Sequence, residues 1–576
     1  MSGERGKGRG PTARALRGGD AVDNLTVAEA LYEIADLLEF TGGDPFKVRA
    51  YRKAAETLGL LPEPVAQLVR EGRLTRVPGI GKAIAAKVTE MVETGRIGYL
   101  EELRQAVPPG VLDLTRVPGL GARTAMLLYR RLGVDSLEAL ELAAREGRLR
   151  DLPGLGPRRE AALLQAVTRV RRRPDRLSIG VAAPIAEAVA TQLRSHPAVV
   201  RVAVAGSIRR RAETVADIDL VIATRDPDAV KLYLDRLPPL PLPVDPALVP
   251  PDAFVVTLFE RTGSAAHLEE LARLAPAGSL PRNAARAAAQ PPDGGSADAD
   301  DAPVYQALGL PYIPPELREG RGEVAAARSG RLPRLIARTD LRGDLHVHTA
   351  ASDGTAGLAE MAEAARALGH RYLAVCDHSQ SLHVAHGLSP ERLREHVAAI
   401  RRLDQWPDFR LLAGAEVDIL RDGTLDYPDE ILAELDVVVA SIHSHLHLPE
   451  AEQTERLLRA IANPHVDIIG HPFGRVIGRR EPMALDLPRI LEACARTGTA
   501  LEISASPSRL DLSAEHARTA KEFGVKLVIN TDAHSVRELE LLPYGVAQAR
   551  RGWVGPEDVV NAMDLPDLLA WLNRRA

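Results

Sequence analysis

After Arg342 the chain repeats one unit: a short apolar run that ends in a residue able to bind a metal, followed by a helical stretch. The series opens with Asp344-Leu345-His346-Val347-His348-Thr349. Leu373 to Cys376 runs into Asp377-His378, Leu411 to Ala415 into Glu416, and Val437 to Ala440 ends near His443. Ile468 to Gly470 ends in His471, and Val525 to Ile529 ends near Asp532 and His534. On a strand, side chains two apart share a face, so His346 and His348 aim both imidazoles at one point. Strands alternating with helices, each with a reactive residue at its carboxyl end, predict a parallel β/α barrel whose chemistry gathers on that end. A lone histidine is most often structural or solvated. This many at strand ends predict a polynuclear metal cluster.

The whole chain has 576 residues, too many for one hydrophobic core, and divides into several domains. Two cysteines, Cys376 and Cys494, exclude a disulfide framework and a thiolate zinc cluster. No apolar run reaches the ~18 residues of a membrane span, and the Gly- and Arg-rich first twenty residues do not form a signal peptide. A reducing cytoplasm and no membrane partner are expected. The net charge of −5 conceals an asymmetry: residues 1–174 carry 29 Lys/Arg against 22 Asp/Glu, a net of +7, leaving −12 beyond. Fourteen of the sixteen histidines lie after residue 341. A basic front and a histidine-rich, acidic back suggest a polyanion-binding portion joined to a metal-dependent one.

In order, residues 1–20 read as a disordered basic tail, and 21–105 as a helical domain starting with the pattern Val27, Ala30, Leu31, Ile34, Leu37, Leu38. An internal repeat follows: Val77-Pro78-Gly79-Ile80-Gly81, Val117-Pro118-Gly119-Leu120-Gly121 and Leu152-Pro153-Gly154-Leu155-Gly156, spaced 40 and 35 residues apart. Each sits where a tight turn leads into a helix, and the free N–H groups there can grip a phosphate. One such loop is ordinary. Three in a net-basic region resemble helix-hairpin-helix motifs, which bind DNA backbone through Gly79, Gly81, Gly119, Gly121, Gly154 and Gly156; residues 106–174 form the bulk of this region.

Beyond Pro174, Val199 to Ala205 reads as a strand leading into Gly206-Ser207-Ile208-Arg209-Arg210 and then Asp217-Ile218-Asp219. Two aspartates at i, i+2 face the same side and can hold Mg²⁺; an edge strand with exposed acids is the plainer alternative. These motifs resemble the nucleotidyltransferase palm of family X DNA polymerases, placed at residues 175–275. The resemblance implies metal binding (Mg²⁺ or Mn²⁺) by Asp217 and Asp219, with Asp245 as third carboxylate, and nucleotide binding by Ser207 and Arg210. It also places Lys87 at the family's Schiff-base lysine for removing deoxyribose phosphate, and it extends through Thr262-Gly263-Ser264 and Ala307 to Arg318. Arg211 and Ala216 replace family glycines. The Pro-rich stretch Leu237 to Pro243 runs directly into Val244-Asp245, so one strand of the usual palm is expected to be missing or replaced. Residues 276–340 read as low-complexity segment and linker.

Residues 341–576 resemble the polymerase-and-histidinol-phosphatase (PHP) domain, a distorted barrel of about seven β/α units. The resemblance implies three metals. His346, His348, Glu416 and Asp532 hold one; Glu416 bridges to a second held by His443 and His471; Asp353, His378 and His534 hold the third. His383 and His445 are expected near the substrate phosphate, and Ser504 departs from the family's Asn. The donor mixture suits Mn²⁺ or Zn²⁺. The whole chain thus resembles a bacterial family X polymerase with a carboxyl-terminal phosphoesterase: a multidomain α and α/β repair enzyme, monomeric and nucleoid-associated, that takes gapped or primed DNA and dNTPs and trims 3′ ends or cuts at abasic sites. Two alternatives stay open: a DNA-bound nuclease with an inactive palm, and a small-molecule phosphatase.

Overall fold

The computed structural model describes residues 24–573 except 42, 60–64, 78, 108–110, 112–113, 115–116, 118–119, 173–175, 239 and 275–300. The expected basic tail, Gly119 and nearly all of the low-complexity segment lie outside the described residues. The chain forms two compact units, Met1–Arg173 and Pro174–Ala576.

The first unit is helical. Its core is built from the apolar faces of helices that include Asn24–Thr41, Pro45–Gly59, Lys82–Thr94, Ala122–Leu132 and Pro157–Arg172. Gly81 and Gly121 are the N-caps of the helices they precede, and Gly156 accepts the backbone N–H groups that open the helix Pro157–Arg172. Gly79 and Gly154 have φ of +85° and +79°, the left-handed region that glycine enters without penalty.

The second unit begins with a small palm. Strand β1 (Leu177–Ser178) pairs antiparallel with β3 (Thr214–Val215); β2 (Val199–Val204), β4 (Ile218–Thr224) and β5 (Val244–Val249) form a separate sheet in the order β2-β4-β5. Here β4 and β5 are parallel, with Asp219 opposite Asp245. Among the described residues of 237–243 there is no strand, so β5 follows the Pro-rich stretch directly. Pro246 is tolerated because β5 is an edge. Residues 301–340 correct the expectation of a linker: Val304, Tyr305, Ile313 and Leu317 are buried in the palm's own apolar cluster, around a fully buried Arg318 paired with Asp301.

Seven parallel strands follow, β6 (Gly343–Val347), β7 (Tyr372–Val375), β8 (Arg410–Asp418), β9 (Val437–Ser441), β10 (Ile468–Ile469), β11 (Ala500–Ser504) and β12 (Leu527–Asn530), hydrogen-bonded in sequence order. The ring is nearly closed where β12 meets β6: Val347 bridges Ala533, and the Asp532 N–H donates to the His346 carbonyl at 3.0 Å. Alternation sends Leu373 and Val375 outward to the helices and Tyr372, Ala374 and Cys376 inward, where they pack with Leu412, Val439 and Val528. The interior is therefore filled, and chemistry is left to the carboxyl mouth.

Candidate active sites

Glu416, in β8 and buried, lies at the centre of the barrel mouth. Its Oε2 lies 3.6 Å from His346 Nε2, 3.6 Å from His348 Nε2 and 2.8 Å from His378 Nδ1; its Oε1 lies 3.0 Å from His471 Nε2 and 3.3 Å from His443 Nε2. Neither oxygen has a hydrogen-bond partner. A buried carboxylate left so, with five imidazoles around it, is the arrangement of a bridging metal ligand. Asp532 Oδ1 completes one group at 3.1 Å from His348 Nε2 and 3.7 Å from His346 Nε2. Ligands on a tetrahedral ion with bonds of about 2.1 Å stand roughly 3.4 Å apart, so these separations fit a divalent metal. Asp353 forms another group, 3.3 Å from His378 Nε2, 3.4 Å from His534 Nε2 and 3.8 Å from His348 Nδ1. The His378 ring stands between this group and Glu416. The structure thus brings together all nine side chains named from the sequence, whereas His383 and His445 are exposed on loops beyond β7 and β9.

Electrostatics fit the same reading. Burial opposes charge on either partner, yet His443, His378 and His346 hold the Glu416 carboxyl well below the usual range. Conversely, Glu416 and Asp353 push His378 up to about 10 against its burial, and Glu416 with Asp418 does the same for His443, also to about 10. His348 moves the other way, down to about 4, through burial and then its neighbours His534 and His378. The carboxylates of the mouth favour positive charge on the imidazoles facing them, charge that a divalent cation would supply in its place.

Three acids braced behind this ring were not singled out as site residues from the sequence. Glu502 accepts from Asn530 at 2.9 Å and from the His471 N–H at 2.8 Å, and it lies 2.8 Å from His346 Nδ1. Asp418 lies 2.6 Å from His443 Nδ1. Asp344 accepts from the Thr531 N–H and hydroxyl and from the His346 N–H, tying β6 to the Asp532 loop. The signal for Asp418 was its place two residues after Glu416, on the same face of β8. His471 and Asp532 carry φ of +27° and +56°, unusual for residues with a side chain, so their backbones are held by these surroundings.

In the palm, Asp219 and Asp245 face one another and Arg261 lies across both, its Nη1 2.5 Å from Asp245 Oδ2 and 3.4 Å from Asp219 Oδ1. Arg261, on the helix Phe254–Thr262, was missed in the sequence, because only folding brings it to the strands. Burial and the neighbouring Asp217 raise the Asp219 carboxyl to about 6, whereas its hydrogen bond from Arg261 lowers Asp245. Gly206, at φ +59°, is required: a Cβ there would overlap the Asp219 carboxylate. Ser207 is half-buried in the same turn, while Arg210 donates to Glu319 at 3.0 Å and to the Thr262 carbonyl at 2.8 Å. Arg211 has φ +56°, which explains physically why glycine suits that position. In the helical unit, the Lys87 ammonium sits 4.7 Å from the Tyr99 ring centre. A Cβ placed on Gly81, Gly121, Gly154 or Gly156 would meet nothing within 4 Å, so these loop backbones are open to approach.

Comparison with known proteins follows the same division. A helix-hairpin-helix domain matches residues 22–97, a SAM-like helix-hairpin-helix tandem residues 111–168, and the PHP domain residues 344–506. The DNA polymerase/3′-5′ exonuclease PolX of Bacillus subtilis is 38% identical over 570 residues, covering 95% of this chain and 99% of that protein. Probable phosphatases of Caldanaerobacter subterraneus and Edwardsiella ictaluri are 30% and 32% identical, but over 33% and 38% of this chain, covering 75% and 89% of theirs. Similarity over 95% of the chain, together with the helix-hairpin-helix and PHP matches, makes this chain a member of the bacterial family X DNA polymerases that carry a PHP domain.

Proposed function

We propose that the protein is a DNA repair enzyme that fills short gaps in primed DNA with dNTPs at the palm and degrades 3′ ends, or cuts at abasic sites, at the barrel. The observation that carries the nuclease is the Glu416 carboxylate ringed by five imidazoles. Helix-hairpin-helix loops suit a sequence-independent grip on DNA phosphates. When bound, divalent metals activate water near neutral pH and stabilise both oxygens of an in-line displacement at phosphorus. His346, His348, Glu416 and Asp532 would hold one, His443 and His471 with Glu416 a second, and Asp353, His378 and His534 a third, as Mn²⁺ or Zn²⁺. Glu502 and Asp418 fix the tautomer and direction of His346 and His443.

At the palm, Asp217, Asp219 and Asp245 offer hard oxygen donors suited to Mg²⁺ or Mn²⁺. Ser207 and the Gly206 turn lie beside Asp219, where a nucleotide's phosphates would approach. Arg210 reaches them only by leaving Glu319. Lys87, on a helix of the first unit, is assigned the lyase role. The enzyme works as a cytoplasmic, nucleoid-associated monomer.

End-labelled gapped DNA incubated with the protein and Mn²⁺, with and without dNTPs, tests the reading. The wild type is expected to extend with nucleotides and to shorten without them; Asp219→Ala should lose only extension and His346→Ala only shortening. Trimming without extension in either metal would leave the second reading, a DNA-bound nuclease with an inactive palm. The Arg261 guanidinium lying across Asp219 and Asp245 favours that one. Arg261→Ala discriminates: on an active palm it should lower the Mg²⁺ concentration for half-maximal extension.

A further inference from the structure

The loop that joins the two palm motifs is fastened to the barrel. Glu213, in that loop, receives a bidentate pair from Arg475, with Nη1 3.0 Å from Oε2 and Nη2 2.8 Å from Oε1. Gln548, on the helix Leu542–Arg551, donates to the same Oε1 at 2.5 Å. Three residues earlier the Arg210 carbonyl accepts from Arg551 at 2.9 Å. The Glu213 and Arg475 side chains keep 26% and 15% of their exposure, so this is a shielded, forked ion pair of the stronger kind.

On the barrel side, Arg475 stands four residues after His471, in the loop that carries it. Phe473 N–H donates to Asp511 Oδ2 at 3.0 Å, and Arg475 also donates to the Leu510 carbonyl. Gln548 bonds the carbonyls of Leu510 and Leu512 at 3.2 and 3.1 Å. One cluster therefore ties Glu213, the His471 loop and the Leu510–Leu512 segment. Leu510 itself is buried in the palm's apolar cluster with Ile179, Val215 and Ile218. Nearby, Gly180 of the palm runs so close to Pro507 of the barrel that a Cβ would overlap its ring.

A residue with a side chain keeps a positive φ only where its surroundings over-determine it. Around His471, Glu502 accepts its N–H and Asp511 accepts the Phe473 N–H two residues on, both within the barrel, while Glu213, from the palm, reaches the same loop at Arg475. We propose that Glu213, a palm residue, is a positioning residue of the nuclease centre: it holds Arg475 and, through Arg475, keeps His471 Nε2 3.0 Å from Glu416 Oε1. The inference rests on His471 and Glu416 being metal ligands.

Removing a group that orients a metal ligand commonly weakens metal affinity ~10–100-fold. Binding of Mn²⁺ to the full-length protein, followed by the paramagnetic resonance of free Mn²⁺ and by calorimetry, measures this without any turnover. Glu213→Ala and Arg475→Ala are each expected to weaken the tightest Mn²⁺ sites about tenfold, and the double variant no further than either. Glu213→Gln keeps the size and one acceptor, and covers the case in which Glu213→Ala fails to fold; an intermediate loss is expected. A Mn²⁺ isotherm for folded Glu213→Gln that superimposes on the wild type would overturn the coupling, as would strictly additive losses in the double variant. A wild type that takes up no Mn²⁺ would overturn the ligand assignment and the inference together.

Discussion

Glu416 lies among the side chains proposed as barrel ligands, and the acids behind them orient their imidazoles. Glu502→Gln keeps shape and loses the charge that orients His346, so metal affinity should fall ~10–100-fold, read by calorimetric titration with Mn²⁺. Glu416, with Asp353 and Asp418, favours the protonated forms of His378 and His443, and an imidazole must be neutral to bind a metal. Metal uptake at pH 7 should therefore release protons, and affinity should rise with pH; titrations in buffers of different ionisation enthalpy count the protons. Arg211 has a backbone conformation that suits glycine, so Arg211→Gly is expected to stabilise the fold by about 0.5–1 kcal/mol, measured by denaturant unfolding. These residue-level facts were unevenly legible. The proposed ligands announce themselves by type and strand-end position, whereas Glu502 looked like any strand acid, and Arg261 gave no sign because its relation to Asp219 is purely spatial.

Among elements, the segment 301–328 is the one whose reading changed most. Asp301 is buried, with Arg318 and Arg209 on either side of its carboxylate. Burial alone would raise its pKa, but the two guanidinium groups hold it below the ordinary range. A depressed carboxyl contributes stability that is present above the unfolded-state pKa of about 4 and is lost as pH falls through the folded-state value. Asp301→Asn leaves two buried cations short of a partner and should cost about 3–5 kcal/mol at pH 7, with less loss of stability on acidification below pH 5 than the wild type; denaturant melts across pH 3–7 test both. No periodicity marked this segment as core, because its burial comes from Pro-rich turns and one ion-pair hub instead of an amphipathic face. The hairpin elements, by contrast, were plain: Pro-Gly-x-Gly fixes a left-handed turn and an N-cap from local chemistry alone. Replacing Gly81 and Gly121 by Val should weaken binding to duplex DNA alike for every sequence, checked by anisotropy over a salt series.

At the scale of the whole molecule, the helical unit has a core of its own, while palm and barrel share theirs through Leu510, Ile477 and Tyr544. Residues 24–172 alone should therefore unfold in one cooperative transition, and residues 176–340 without the barrel should not, which circular dichroism on heating distinguishes. By itself the sequence determined the barrel, the gathering of imidazoles and carboxylates at its strand ends, the hairpins and the carboxylate pair of the palm, because each rests on residue type and on spacing along one strand or one turn. Tertiary structure alone decided that Asp245 faces Asp219, that Arg261 spans them, and that Glu213 is gripped by the loop of His471. Those relations join residues distant along the chain, and a contact made only when two elements pack leaves no periodic trace in either.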